Sequence, residues 1–400
     1  MRVLLIRLVI GVLAALSLGV PLPAHADRFG PPWMDRVTVD RTTLYADPDR
    51  SQPIGPLGKD AVLIVVGQQG EMVQVRDGWV PVSDVHETVE PWVAEVSVPS
   101  VSVYAFPEAT SEVRRTAHQG NLLRVMGVAQ GVGQDQNLWW STTEGYVSLD
   151  TVQRATGDWA TEWTMPSADE ALRGWWAQAR EANVRAGPTT DAPVVGSFGG
   201  GEHLKVLAEV EGEKVSGNST WARIDGGRYA GAYIHSSRLA RLAEPKPVVA
   251  SPPVEVGDKP WILVDRPSHT LTLLRNGQPQ FATYVSLGRA GKDTPAGDYT
   301  TWGKHVAERM SSAANPEADH AYNLPNVPFI QYYKDGGYAI HGTYWHDVFG
   351  TDESQGCINL TWTDAAYLFG QTLPQASLDP TDQSAAGAPI GATPVLIRGA

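Results

Sequence analysis

The residue best suited to covalent chemistry is Cys357, the only cysteine among 400 residues. It lies in Ser354-Gln355-Gly356-Cys357-Ile358-Asn359-Leu360, and Ile340-His341-Gly342-Thr343 precedes it, with His341 sixteen positions upstream of the cysteine. A thiol attacks as thiolate and needs a base beside it, and imidazole is the side chain whose ordinary pKa suits that task near neutrality. The small Gly356 leaves room for a peptide carbonyl, and backbone N–H groups in such a turn are suited to holding the oxyanion of a tetrahedral intermediate. The chemistry indicated is acyl transfer through a thioester, with Cys357 as nucleophile, His341 as general base and a thiol more reactive than free cysteine. Set against this, lone cysteines also serve as small buried hydrophobes, and a His–Cys pair at this separation carries little weight by itself.

Other residues near the pair have weaker claims. Tyr344-Trp345-His346-Asp347 occupies the loop between His341 and Cys357, either as a lid or wall of a donor pocket or as a packed aromatic cluster. His341, His346 and Cys357 do not match any standard zinc spacing, so no metal and no cofactor are expected. His305 and His320, in a polar insert between Trp302 and Asn323, read as exposed loop residues.

The elements that must position these groups are mostly strands. Trp261-Ile262-Leu263-Val264-Asp265 and Leu271-Thr272-Leu273-Leu274 flank a polar turn, and Asn276-Gly277 is a hairpin signal. A third strand is expected over Phe281 to Leu287 and a closing one over Thr393-Pro394-Val395-Leu396-Ile397. One helix is expected from about Thr361 to Phe369, with Thr361 and Asp364 as a capping box and Gly370 closing it.

The stretch around the chemistry resembles the signature of the L,D-transpeptidases: a His-Gly or His-Ser pair, a loop, then Ser/Thr-His-Gly-Cys-hydrophobic-Asn or -Arg. His341, Ser354, Gly356, Cys357, Ile358 and Asn359 match it. Val285-Ser286-Leu287-Gly288 with Thr294-Pro295-Ala296-Gly297-Asp298-Tyr299 looks like the family's second hallmark. The resemblance covers about residues 260 to 398 and implies a β-sandwich catalytic domain, here bounded at 259–398. It departs from the pattern at Gln355, where the family has His; Gln cannot carry the proton.

By resemblance, Cys357 attacks the carbonyl joining the third, diamino residue of a peptidoglycan stem peptide to its terminal D-Ala. D-Ala leaves, and an amine from a second stem peptide, or a wall-tethered protein as acceptor, resolves the thioester. The Gly342 backbone carbonyl orients His341, and Asn359 braces the loop. Ser354, Gln355, Gly356, Tyr344 and Trp345 are assigned to substrate binding or loop support. Water as acceptor would make the same site an L,D-carboxypeptidase. A non-catalytic peptidoglycan-binding protein is the reading that Gln355 favours.

Upstream, three segments repeat one pattern: a turn-rich opening, a β-branched run, and a Gly- or Ala-aromatic-aliphatic strand ending in Ser. They lie at 36–88, 92–154 and 175–242 and resemble tandem bacterial SH3-like domains, least so in the second. Residues 155–174 form a connector and 243–258 a Pro-rich, semi-rigid linker across which few contacts should pass. The fold class is thus mainly β, small SH3-like β-barrels followed by an L,D-transpeptidase-type β-sandwich with one or few helices.

The N-terminus indicates where the protein works. Arg2 and Arg7 precede an apolar run from Leu8 to Val20, and Ala24-His25-Ala26 supplies a small-x-small cleavage pattern. Residues 1–26 therefore read as a signal peptide, and the expected setting is the periplasm or cell wall, with no transmembrane span after its removal. A formal net charge of −13 argues against a nucleic-acid partner.

Overall fold

The computed structural model describes residues 33–59, 61–87, 91–132, 137–156, 174–241, 244–252, 256–312, 322–376 and 392–399. The expected signal peptide, most of the connector, and His320 lie outside the described residues.

The three N-terminal repeats each fold into a seven-stranded antiparallel sheet, within residues 33–87, 92–154 and 175–241. Numbered within each unit, the strand order across the sheet is third, second, sixth, fifth, fourth, first, seventh in all three. The second unit, whose sequence resemblance is weakest, therefore has the same topology as the third. The longest strands, Val62–Gln69, Leu122–Gln130 and His203–Val215, are built on the β-branched runs. Each carries a register shift at the corresponding place, Val65/Gly67, Val125/Gly127 and Val206/Ala208, bending the strand so that the sheet can curl. Alternate residues then meet inside: Val65, Val73, Val75 and Val80 in the first unit, and Leu204, Val206, Ile224 and Ile234 in the third.

The C-terminal unit is a sandwich of two sheets. The first runs Gln278–Tyr284, Thr270–Arg275, Trp261–Asp265, Pro394–Arg398, Gly297–Thr300. The second runs Gly303–Ser311, Asn323–Lys334, Tyr338–Gly342, Ile358–Leu360, Ser286–Gly288, Thr351–Ser354. Ile262, Val264 and Leu273 of the first face Val285, Ile340, Ile358 and Leu360 of the second, and the helix Trp362–Gln371 adds Ala365, Leu368 and Phe369 to that core. Asn276 and Gly277, both at positive φ, form the two-residue turn joining Thr270–Arg275 to Gln278–Tyr284.

Several expectations need correcting. The single strand foreseen over Phe281 to Leu287 is divided: Gln278–Tyr284 belongs to one sheet and Ser286–Gly288 to the other, with the chain crossing at Val285. The polar insert beginning at Trp302 is not an exposed loop where it is described. Gly303–Ser311 is a strand, and His305 on it is 7% exposed. Its polar side chains have buried partners: Glu308 accepts from the Tyr332 hydroxyl at 3.0 Å, and Lys304 Nζ donates to Phe369 O at 2.5 Å and Thr372 O at 3.1 Å. That lysine also explains why Gly370 does not end the helix. An ammonium group takes the free C-terminal carbonyls, so the helix continues to Gln371 with Thr372 as its cap. At the other end Thr361 Oγ1 accepts from Asp364 N at 3.3 Å, but the Asp364 carboxylate turns away to Lys205 and Thr283, leaving half of a capping box.

The proline-rich segment also differs from a free spacer. Val248, Ala250 and Val256 pack against Trp261, Leu263, Leu274 and Leu396 of the sandwich. Many contacts join the units across it. Lys205 of the third unit pairs with Asp364 and lies 4.0 Å from Asp225, all three within 4% of full burial. Asp225 in turn accepts from Thr363 N at 3.3 Å. The second unit touches the opposite part of the sandwich. Arg309 Nη1 donates to Val128 O at 2.8 Å, and Asn326 donates to Met126 O. Between those two carbonyls, Gly127 sits at φ +159°, where a Cβ would lie 2.6 Å from Pro325 Cβ. Only glycine allows this approach.

Candidate active site

His341 is on the strand Tyr338–Gly342, which pairs in parallel with Ile358–Leu360 so that His341 lies across from Asn359. Parallel neighbours need a long return connection, and residues 343–357 supply it. The return places Cys357 at the entrance of the Ile358–Leu360 strand, and Cys357 and His341 face one cavity of about 240 Å³.

The turn before Cys357 is fixed by its own side chains. Ser354 Oγ donates to Cys357 O at 2.6 Å and accepts from Gly356 N at 3.0 Å. Gly356 has φ +114°, and a Cβ there would meet Tyr338 at 2.8 Å, so the glycine of the Gly-Cys pair is a steric requirement. Thr294 of the upstream motif reaches both halves of the site: its Oγ1 accepts from Gly288 N at 2.8 Å and donates to Gly356 O at 3.1 Å.

His341 is 3% exposed, and its Nδ1 lies 2.8 Å from Gly342 O. A carbonyl can only accept, so Nδ1 carries the proton and Nε2 is left with its lone pair. Burial pushes the imidazole down to about 4, opposed by the Gly342 carbonyl. Burial likewise pushes the half-buried Cys357 thiol up to about 11. Both shifts run toward a neutral imidazole and a neutral thiol, the opposite direction from the activated thiol expected from the sequence. The shared cause is burial, because a low dielectric disfavours both charged forms.

The 343–349 loop both packs and lines the cavity. Tyr344 is fully buried, with its hydroxyl on Pro325 O at 2.7 Å, and meets Trp345 edge-on at 4.9 Å. Trp345 stands 5.7 Å from the His341 ring. Asn359 Nδ2 donates to His346 Nε2 at 3.0 Å, and burial, reinforced by nearby His341, pushes His346 down to about 3. The third unit holds this loop from outside: Gly227 N donates to Thr343 O at 3.3 Å, Arg228 pairs with Asp347 at 3.6 Å, and Trp176 packs on Phe349 at 5.3 Å.

Residues 259–397 match the L,D-transpeptidase catalytic domain, and residues 180–240 the bacterial SH3 domain. Among solved structures, an L,D-transpeptidase from Mycobacterium smegmatis is 20% identical, over 35% of this chain and 59% of that one, with a TM-score of 0.28. One from Mycobacterium tuberculosis H37Rv is 23% identical, over 35% and 57%, with a TM-score of 0.27. The catalytic domain of the E. faecium L,D-transpeptidase is 23% identical, over 35% of this chain and 98% of that one, with a TM-score of 0.27. The chain thus spans less than two thirds of the length of the two mycobacterial proteins. No curated protein matches it.

Within the matched residues, those singled out from sequence, Ser354, Gln355, Tyr344, Trp345 and Asn359, line the same cavity as Cys357 and His341. Gly342 and Gly356 act through the backbone contacts described above. Sequence reasoning missed the other wall. Ala105, Phe106, Arg114, Thr142, Gly145 and Tyr146 of the second SH3-like unit close the cavity opposite the catalytic loop. Tyr146 is tied to the sandwich through its hydroxyl, which donates to Asn323 O at 3.3 Å. No local pattern announces a contact between residues some two hundred positions apart. Arg289, directly after the Val-Ser-Leu-Gly motif, also lines the cavity and was also missed.

Proposed function

We propose that this protein is a cysteine-dependent L,D-transpeptidase that acts on peptidoglycan stem peptides outside the cytoplasm. The observation that carries the reading is that Cys357 and His341 face one cavity, with the imidazole tautomer set by the Gly342 carbonyl. From that start Cys357 Sγ attacks the carbonyl between the diamino residue and D-Ala as its proton passes to His341 Nε2. The imidazolium then protonates the leaving D-Ala amine, and a thioester remains on Cys357. An acceptor amine gives its proton back to His341 as it displaces the thiolate, forming a cross-link or a protein tether. Starting from neutral partners, the charge separation develops only with substrate in place. No helix among the described residues is long and apolar enough to cross a membrane.

The test is incubation of the purified protein with tetrapeptide stems, with products read by mass spectrometry. D-Ala release, a thioester adduct on Cys357 and dimers are expected, and Cys357→Ser should abolish all three. Release without dimers would make the protein an L,D-carboxypeptidase. Gln355, standing where the family has His, favours one second reading, a peptidoglycan-binding protein without turnover. If Gln355 only supports the turn, Gln355→His retains or raises D-Ala release; absence of release from both forms selects the binder.

A further inference from the structure

The charged residues lining the cavity are Arg114, Arg289 and Glu353, an excess of one positive charge in a chain with a formal net charge of −13. The two arginines come from different units. Arg114, on the strand Val113–His118 of the second SH3-like unit, has one Nη1 contact, to Glu144 O at 3.1 Å. The Glu144 carboxylate itself makes its hydrogen bonds to Arg115, in a bidentate pair. Arg289 follows the strand Ser286–Gly288, and its backbone N donates to Ser354 O at 3.0 Å, which fixes it to the turn that carries Cys357. Its Nη2 is buried and makes no hydrogen bond among the described residues. A buried guanidinium nitrogen without an acceptor is costly unless an acceptor arrives, and guanidinium groups match carboxylates in geometry. Burial pushes the neighbouring imidazoles, His341 and His346, toward their neutral forms, which do not compete for an anion.

We infer that Arg114 and Arg289 form a two-armed clamp for a carboxylate of the donor peptide, so that the second SH3-like unit supplies part of substrate recognition. The inference rests on the proposed reading and deepens it: the preferred donor carries a free carboxylate near the scissile bond. That carboxylate is either the one on the terminal residue or an internal one. A donor amidated at the recognised position loses the clamp.

The test needs no turnover. Cys357 in the full chain is alkylated with iodoacetate, which is anionic, and with iodoacetamide, which is neutral and of nearly the same size. The rate ratio of the two, divided by the same ratio for free cysteine, should exceed one several-fold. It should fall several-fold in Arg114→Gln and in Arg289→Gln, survive in Arg114→Lys and Arg289→Lys, and rise in Glu353→Gln. A ratio equal to that of free cysteine, or one unmoved by both Gln variants, overturns the clamp. The Lys variants separate loss of charge from loss of fold: a ratio lost equally in Lys and Gln forms also overturns it.

With peptide donors, KM should rise roughly tenfold for the form amidated at the recognised carboxylate while kcat changes little. Separate amidation of the terminal and internal positions identifies which carboxylate is held. An anion preference in alkylation without any D-Ala release would leave the clamp standing and remove the transpeptidase reading. D-Ala release without the preference would do the reverse.

Discussion

The second and third SH3-like units share one strand order, yet they join the catalytic domain by different physics. The third uses buried charge: Lys205, Asp225 and Asp364 meet at the start of the catalytic helix, and Arg228 reaches Asp347 in the loop that returns toward Cys357. Burial pushes Asp225 up to about 6, with Lys205 pulling it back, so this contact requires every member to be present. The second uses close backbone approach. The carbonyls of Met126 and Val128 receive Asn326 and Arg309, and Gly127 lets the two chains touch. The first unit meets the second near an exposed Arg76–Asp150 pair at 3.2 Å. Topology is therefore no guide to role: one copy clasps the loop before Cys357, one walls the cavity, and one packs against the second.

The comparison can be broken at several points. The largest effect is expected from removing all three units. A protein starting at Asp258 keeps both strands of the Cys–His pair but loses the wall and the clasp, so D-Ala release from soluble tetrapeptide should fall roughly a hundredfold or more. Retention of full soluble turnover would return the upstream units to the role of spacers. Next, Lys205→Met leaves two buried carboxylates without their cation and should destabilise the protein by about 3–5 kcal/mol in urea unfolding. Adding Asp364→Asn should recover part of that loss. A Lys205→Met protein as stable as the parent would show that the clasp is not what joins the third unit.

The wall has its own signature in pH. With its pKa raised from 9.0 to about 11, the Cys357 thiol has at pH 7 a thiolate fraction roughly a hundredfold below that of an ordinary thiol. Iodoacetamide should therefore react slowly at neutrality, and its rate should keep climbing beyond pH 9 toward an inflection near 11. In the protein starting at Asp258, water reaches the cavity and the inflection should return toward 9. A plateau already reached below pH 8 in the full chain would mean a resting thiolate–imidazolium pair. The smallest effect is expected at Arg76→Ala. Both partners are exposed, so stability should change by no more than about 1 kcal/mol and turnover not at all.

What the sequence disclosed and what it hid divides along range. Thr361 before the helix, Asn276-Gly277 at the hairpin and Gly356 before the cysteine act on their immediate neighbours, and each is visible as a local pattern. His341 and Cys357 were found because two motifs agree in order and spacing. Lys304 and His305 misled, because polar residues read as exposed, while here Lys304 finds carbonyls at the end of a distant helix and His305 lies 3.7 Å from Glu308 on its own strand. Arg114 and Tyr146 could not be read as site residues. They belong to a unit whose own pattern is complete without them, and only the packing of that unit on the sandwich brings them to the cavity.

Thr294 has a consequence for how such a chain can vary. One hydroxyl joins the end of the Ser286–Gly288 strand to the carbonyl before Cys357, so two motifs some sixty positions apart behave as a single mechanical part. A change at Thr294, a residue with no chemistry of its own, should therefore silence the thiol.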